Sequence, residues 1–246
     1  IGKAQLQPTK QRTEQMTAVH RKDKALYKLD FSVVLNRWTD LMYGVGFTLA
    51  LSTAAIFLAL CIGIAGAALQ RSSRPVFRVP VRIFVEAIRN TPFLVQIFFL
   101  FFALPFLGLR MSPTTTALIA LAINGGAYSI EIIRGGVESI PRGQIEAGAA
   151  LGLSQLQILR DIVMIPALRA IYPALSSQFI LLTLTSSVCS SISANELTYY
   201  AQRIESETFR SFEVYFTITG LYLLISWLIM SMLSMLGQRL FNYPNQ

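Results

Sequence analysis

Long apolar segments constrain this chain more than any other feature of its sequence. Residues 45–69 carry no charged side chain, and they exceed the roughly 20 residues that a helix needs to cross a bilayer. Of the 246 residues, 53% are hydrophobic and 14% are charged, against about 25% charged residues in an average soluble domain. This composition argues against a soluble domain and excludes disorder over the whole chain.

Five segments are apolar and long enough to be transmembrane spans. They lie near residues 45–69, 84–107, 114–133, 171–192 and 214–236. Residues 30–43 are amphipathic and are predicted to form a helix along the membrane surface. Residues 1–29 are predicted to form a basic, polar, mobile tail. The predicted fold class is therefore an all-α membrane protein, with about five transmembrane helices in a domain over residues 44–240.

The arginines between the spans predict the orientation of the chain. Two connections carry four arginines each: Arg71, Arg74, Arg78, Arg82, then Arg134, Arg142, Arg160 and Arg169. Because cytoplasmic loops carry an excess of Lys and Arg, both connections are expected in the cytoplasm. The amino terminus is then periplasmic and the carboxyl terminus cytoplasmic. The basic tail does not follow this rule, since eight cations precede residue 38.

The connection over residues 135–165 has the pattern of a helix–turn–helix. Pro141 suits the first position of a helix, and the run of helix-forming residues after it halts at Gly152. Ser154, with Gln157 three residues later, predicts a capping box at the start of a second helix. We expect this loop to pack against the cytoplasmic face of the membrane.

Motifs for catalysis and metal binding are missing from the sequence. No lysine follows Lys28, so no phosphate-binding GxxxxGK[ST] loop exists after the tail. His20 is the only histidine, which excludes a two-histidine zinc site. Cys61 and Cys189 lie in apolar runs and are expected to be buried thiols. We expect no enzyme activity, no metal ion and no cofactor on this chain. We also expect no nucleic-acid partner, because the arginines flank apolar runs instead of alternating with aromatic residues.

Polar side chains inside the apolar segments are candidates for a substrate path, since such groups are costly unless they face a bundle interior or water. The candidates are Arg89, Asn90, Asn124, Thr183, Thr185, Ser186 and Ser187. Each has an alternative structural role. Arg89 shares a helix face with Arg82 and Glu86, and the glycines after Asn124 suit helix packing. The hydroxyl groups can bond to carbonyls one turn earlier.

Three stretches resemble the permease subunits of bacterial polar amino-acid ABC importers. They are residues 86–105 (EAIRNTPFLVQIFFLFFALP), 124–154 (NGGAYSIEIIRGGVESIPRGQIEAGAALGLS) and 208–215 (TFRSFEVY). The core of the resemblance is the E-A-A-x-x-x-G loop of importer permeases, here Glu146, Ala147, Gly148 and Gly152. Together the matches cover about residues 40–240.

The resemblance implies a type I importer fold and a role in ATP-driven amino-acid transport across the bacterial inner membrane. In that family the loop is a coupling helix that docks on a separate ATPase subunit. The implied partners are a second permease subunit, identical or paralogous, two ATPase subunits that bind ATP and Mg, and a periplasmic binding protein. The binding protein would dock on outer loops that include residues 196–210. Relatives often carry Lys-Asp where this chain has Leu184-Thr185. Either the partner permease supplies this charge, or the substrate is acidic or neutral, and Arg89 favours the second alternative because it can bind a carboxylate.

Two alternative functions remain open at this point. A secondary transporter would use Glu86 and Glu131 as a proton relay and would need no ATPase. A membrane scaffold without transport would explain the cytoplasmic loop and would be indifferent to replacement of Thr185 and Ser187 by valine.

Overall fold

A computed structural model describes residues 28–241, and all of the regular secondary structure in this range is helical. Its α-helices are α1 (Ser32–Leu35), α2 (Trp38–Gln70), α3 (Pro75–Arg89), α4 (Phe93–Ala103), α5 (Pro113–Glu138), α6 (Arg142–Ala150), α7 (Gln155–Gln157), α8 (Ile165–Thr185), α9 (Leu197–Thr208) and α10 (Ser211–Phe241). 3-10 turns follow α4 (Leu104–Leu107) and α8 (Ser186–Ile192), and a π-helix (Ile158–Met164) joins α7 to α8. The predicted fold class is confirmed.

Within the described residues, four helical segments are long and apolar enough to cross a membrane. They are Trp38–Gln70, Pro113–Glu138, Gln155–Ile192 and Ser211–Phe241. Helix α3 and the segment Phe93–Leu107 form a pair bent by 109°, and this pair accounts for a fifth span if it is counted as one.

The second predicted span, residues 84–107, is wrong as a continuous helix, because the chain turns sharply between α3 and α4. Pro92 adopts an extended conformation with φ −64° and ψ 138°. It has no N–H group, so the carbonyl of Ile88 loses the donor that a continuing helix would offer. The side chain of Gln96 supplies it instead, since its Nε2 lies 2.7 Å from the Ile88 oxygen and 3.0 Å from the Thr91 oxygen. A hydropathy pattern does not reveal this break, because the residues on both sides of it are largely apolar.

The predicted interfacial helix over residues 30–43 also differs from the structure. Helix α2 already begins at Trp38, and only the four residues of α1 form a separate helix before it. Leu41 is fully buried in a cluster with Val34, Leu197 and Ala201. Packing against α9 therefore extends the first span outward, and residues 38–43 do not lie flat as a separate surface helix. The predicted tail falls outside the described residues, except for Lys28 and Leu29.

The helix–turn–helix over residues 135–165 is confirmed only in its first half. Helix α5 runs on to Glu138, and α6 then begins after Pro141, which is its N-cap residue and not its first helical residue. The capping box of Ser154 and Gln157 is present. The helix it starts continues through the π-helix into α8, so it is the first part of the fourth span and not a separate helix.

Small residues bring α2 and α5 close together at the centre of the bundle. An added methyl group on Gly126 would collide with Ile62, and one on Gly63 would collide with Ser129. Small side chains let helix backbones approach within a membrane, where packing provides much of the association energy. Cys189 is buried in this core, whereas Cys61 is exposed on the outer face of α2, contrary to the expectation of two buried thiols.

Two neighbouring glycines of α5 give a direct test of this packing. Gly136→Ala is expected to lower the free energy of unfolding by about 1–3 kcal/mol, because the new methyl group collides with the side chain of Ile171. Gly135→Ala is the matched control, since no atom lies within 4 Å of the added methyl group. It should leave stability unchanged or raise it by roughly 0.5–1 kcal/mol. Thermal unfolding in detergent measures both, and equal losses would contradict the packing described here.

Candidate functional site

A polar cleft of about 640 Å³ opens at one end of the bundle, where α3 packs on α2 and α5. Its lining is rich in charge and includes Gln70, Arg78, Arg82, Glu86, Arg89, Asn90, Tyr128, Glu131, Arg134 and Glu138. The end of α2 and the end of α5 meet here, so both arginine-rich connections of the chain lie at the same end of the bundle.

Glu131 is the centre of the cleft's charge network. Its carboxylate lies 2.8 Å from Arg134 on its own helix and 3.3 Å from Arg89 on α3. Arg134 also binds Glu138 at 2.6 Å. The guanidinium of Arg89 lies over the ring of Tyr128 at 5.4 Å. These contacts tie the end of α3 to α5 just before the break at Pro92.

Arg89 combines fixed placement with access to solvent. Its side chain is 41% exposed, although it contacts both Glu131 and Tyr128. A guanidinium has more donors than one carboxylate can accept, so Arg89 can bind a further anion bidentately without leaving Glu131. The cleft therefore suits a small ligand that carries a carboxylate. Within residues 28–241, no cluster of three His, Cys, Asp or Glu side chains is arranged to hold a metal ion.

The two asparagines predicted for a substrate path lie at different depths. Asn90 lines the cleft beside Arg89, and its amide donates to the carbonyl of Glu86 at 2.8 Å. Asn124 is buried on α5 and donates to Oε1 of Gln96 at 3.0 Å. The structure thus brings Arg89 and Asn90 together, while Asn124 supports the break between α3 and α4 through Gln96.

The hydroxyl run at the end of α8 does not face the cleft. Thr183 and Thr185 donate to carbonyls four residues earlier, and Ser186 and Ser187 to carbonyls three residues earlier. Thr183 and Ser186 are fully buried. Ser187 borders a separate groove between α8 and α10 that also includes Tyr222. These hydroxyl groups serve the backbone of their own helix, which was the alternative role considered for them.

The E-A-A-type loop forms α6, a short helix whose outer face is open. Glu146 and Ala147 are exposed, whereas Gly148 is buried against Ile162 of the π-helix. An alanine at position 148 would collide with that side chain, which explains the glycine physically. Gly152 has φ +79°, a conformation that favours glycine, and it ends the turn after α6.

Glu196 differs from its expected place on an outer docking surface, because its side chain is completely buried. It caps α9 by accepting from the backbone N–H of Tyr199 at 2.8 Å, and it accepts from the hydroxyl of Tyr222 at 2.6 Å. Burial raises the pKa of Glu196 from its usual 4.5 to about 7, although both hydrogen bonds favour the charged form. This carboxyl therefore holds α9 against α10 and is not available to a partner.

The raised pKa predicts that stability depends on pH. The folded state binds the Glu196 proton more tightly than the unfolded state, so the free energy of unfolding is highest at low pH. It should fall as the pH rises from 4.5 through about 7, by up to ~3 kcal/mol. Glu196→Gln keeps one oxygen to accept from the N–H of Tyr199, and its NH2 group can donate to the hydroxyl of Tyr222, so the uncharged variant should remove this dependence. Melting temperatures measured from about pH 5 to about pH 8 test it, and a slope unchanged in the variant would contradict it.

Several residues of the cleft were not among the sequence candidates for a substrate path. Gln70 and Tyr128 carried no distinguishing signal, and Arg134 was used only to predict orientation. Gln96 does not line the cleft but supports the break beside it, and it did carry a signal, since it is the single polar residue in the apolar run of α4. Its significance depends on the nearby orphan carbonyl and on Asn124, and neither is adjacent to it in the sequence.

Comparisons with known proteins show the family and the fold. The family described as binding-protein-dependent transport system inner membrane component matches residues 59–242. The chain is 34% identical over 215 residues to the glutamine transport system permease protein of Escherichia coli K12, covering 87% of this chain and 98% of that protein. It is 35% identical over 205 residues to the octopine transport system permease protein of Rhizobium radiobacter, covering 78% and 82%. A crystal structure of an amino acid ABC transporter with histidines superposes with a TM-score of 0.82 at 31% identity, covering 87% of this chain and 100% of that one.

Proposed function

The chain belongs to the inner membrane components of binding-protein-dependent transport systems and is an amino-acid ABC transporter permease, and from that premise we propose how it works. A permease of this kind implies ATPase subunits and a substrate-binding protein as partners. We propose that two permease subunits, identical or paralogous, assemble with two ATPases that bind ATP and Mg, and with one periplasmic binding protein. Family membership favours this function over a secondary transporter or a scaffold.

The observation that carries the coupling proposal is the open face of α6. Glu146 and Ala147 are exposed there, while Gly148 anchors the helix on the π-helix that leads directly into α8. The small side chains permit close approach by a partner, and Glu146 offers a charge-assisted contact. We propose that α6 docks on the ATPase through Glu146 and Ala147, while Gly148 and Gly152 fix the shape of the loop that presents them. Movement of the ATPase would then be transmitted into the fourth span.

The proposed orientation puts the cleft and α6 in the cytoplasm. Both arginine-rich connections lie at that end of the bundle, and Lys and Arg are concentrated in cytoplasmic loops. The end that holds α9 and Glu196 would face the periplasm. There, Arg203 and Gln202 are exposed and Glu196 is not, so the binding protein would contact the outer surface of α9.

For the substrate we propose a polar amino acid whose carboxylate passes Arg89 and Asn90. Arg89 is exposed to the cleft and keeps donors free beyond its contact with Glu131. Four arginines line the cleft against three glutamates, so the cleft keeps a net positive charge, and an amino acid with a neutral or acidic side chain fits better than a basic one. Thr183 and Ser186 contribute through helix geometry and not through ligand contact.

One experiment tests the proposed function directly. ATPase activity is measured for the reconstituted complex, co-expressed with the products of neighbouring genes, as binding protein and single amino acids are added. Stimulation by one class of amino acid is expected, and it identifies the substrate at the same time. If no ATPase co-purifies and a proton gradient alone drives uptake, the chain is a secondary transporter and the coupling role of α6 is wrong.

A further inference from the structure

Helix α3 is exposed along most of its length, although it has two chemically distinct faces. Val85 is its only buried residue. Arg74 at its N-cap, followed by Arg78 and Arg82 at intervals of four residues, forms one face. Val76, Pro80 and Ile83 form the opposite face, and Val76 is 68% exposed. A helix with such faces is stable in an interface between water and an apolar phase.

The arginines at the beginning of α3 are not explained by contacts within the chain. Arg82 binds Glu86, but Arg71, Arg74 and Arg78 form no ion pair with any of residues 28–241. Arg74 is the N-cap residue of α3 and Arg78 lies one turn later, where the macrodipole disfavours positive charge, whereas Arg71 is the C-cap residue of α2. Three exposed guanidinium groups in this position call for an external anion.

We propose that Arg74 and Arg78 on the arginine face of α3, together with Arg71 just before the helix, bind the phosphate groups of anionic phospholipids in the cytoplasmic leaflet. The apolar face with Val76, Pro80 and Ile83 lies toward the acyl chains, and the guanidinium groups lie at the level of the headgroups. Arginine suits this role because its planar fork binds phosphate bidentately. The proposal goes beyond the transport function, since it assigns a lipid partner to a surface distinct from α6. Of the three arginines, Arg78 also lines the polar cleft, whereas Arg71 and Arg74 do not.

An acidic surface of the ATPase is the competing partner for the same arginines. The lipid is favoured because the arginines share their helix with exposed apolar side chains, which a water-exposed protein interface would leave uncovered. The break at Pro92 also allows α3 to run along the membrane while α4 enters it, since the two segments are bent by 109°.

The test measures which phospholipids remain bound to the full-length protein after purification. Bound phosphatidylglycerol and phosphatidylcholine are quantified by mass spectrometry after exchange into mixed micelles of both lipids. The wild type should prefer phosphatidylglycerol. Arg74→Gln with Arg78→Gln should reduce this preference by about fivefold for each arginine removed, the factor that corresponds to ~1 kcal/mol per basic residue. Arg74→Lys with Arg78→Lys should retain most of it.

The matched control removes two arginines from the opposite end of the bundle, by Arg110→Gln with Arg203→Gln, and should leave the preference unchanged. An unchanged preference in the α3 variant, or an equal loss in the control, would overturn the proposal. If the α3 variant keeps its lipids but loses co-purifying ATPase, the arginines face the ATPase and the proposal is also wrong.

A second measurement tests the proposal without the glutamine substitutions, and it therefore remains informative if that variant fails to fold. A spin label at Val76→Cys, with Cys61→Ala to remove the exposed native thiol, reports the surroundings of the apolar face in liposomes. Greater collision with dissolved oxygen than with a water-soluble nickel complex is expected. The reverse order would place this face in water and overturn the proposal.

Discussion

Replacing Glu146 by arginine is expected to abolish amino-acid uptake while the subunit still folds and inserts in the membrane. Glu146 is exposed on α6 and makes no ion pair within residues 28–241, so its loss costs the isolated subunit little. At a docked interface, reversal of its charge leaves the partner's donor buried and unpaired. Truncation of such a pair costs about 2–5 kcal/mol, which corresponds to a loss of ATPase affinity of roughly 30-fold or more.

Co-purification of the ATPase, together with uptake in proteoliposomes, measures this effect. Gln155→Arg is the control, because it adds an arginine at another exposed position, nine residues further along the same connection. It should keep both the ATPase and uptake near wild-type levels. Normal uptake and normal co-purification in the Glu146→Arg variant would show that α6 docks without this side chain.

Arg89→Gln is expected to reduce uptake by about tenfold to a hundredfold, because a hydrogen bond to a charged group contributes about 1.5–3 kcal/mol. The effect has two sources. The variant loses the donors that we propose for the substrate carboxylate, and it frees Glu131 from its contact with α3.

Arg82→Gln is the matched control on the same helix. Arg82 binds only Glu86, one turn away, and both side chains are largely exposed, so the ion pair contributes little. Its uptake should stay within about twofold of the wild type, since exposed helix pairs contribute only ~0.3–0.5 kcal/mol. Equal reductions in the two variants would assign the effect to general charge loss and remove Arg89 from the substrate path. The apparent affinity for the amino acid, measured beside the maximal rate, separates substrate binding from a structural defect.

The sequence predicts the features of this fold that depend on local pattern. Apolar length alone locates four of the helices that cross the bundle, and the capping box at Ser154 is found from two residues three positions apart. Gly152 ends its turn for a reason that is also local, since φ +79° suits a residue without a side chain. In each case the determining interactions lie within one or two helical turns.

The sequence does not predict the features that depend on contacts between distant segments. From the sequence, Glu196 is expected to be an exposed charged residue of a loop. In the structure it is a buried helix cap, because it accepts a hydrogen bond from the hydroxyl of Tyr222, 26 residues away. The cleft depends on Arg89 and Glu131 meeting across two helices, which hydropathy does not reveal. The break before α4 needs both Pro92 and the distant partner Asn124, which binds the Gln96 side chain at the break.

The shortness of α4 has a consequence for the order in which the membrane bundle is assembled. Its 11 residues rise about 16 Å, and the four residues of the 3-10 turn that follows add only about 8 Å. The segment therefore falls short of the ~30 Å hydrocarbon core and is too short to be integrated as an independent span during synthesis. The polar partner of Gln96 is Asn124, which leaves the ribosome later as part of α5. We therefore expect α4 to enter the bilayer only after α5 has been synthesised. The first stable membrane intermediate then contains α2 and α5. The bent pair formed by α3 and α4 enters after both of them, although it lies between them in the sequence.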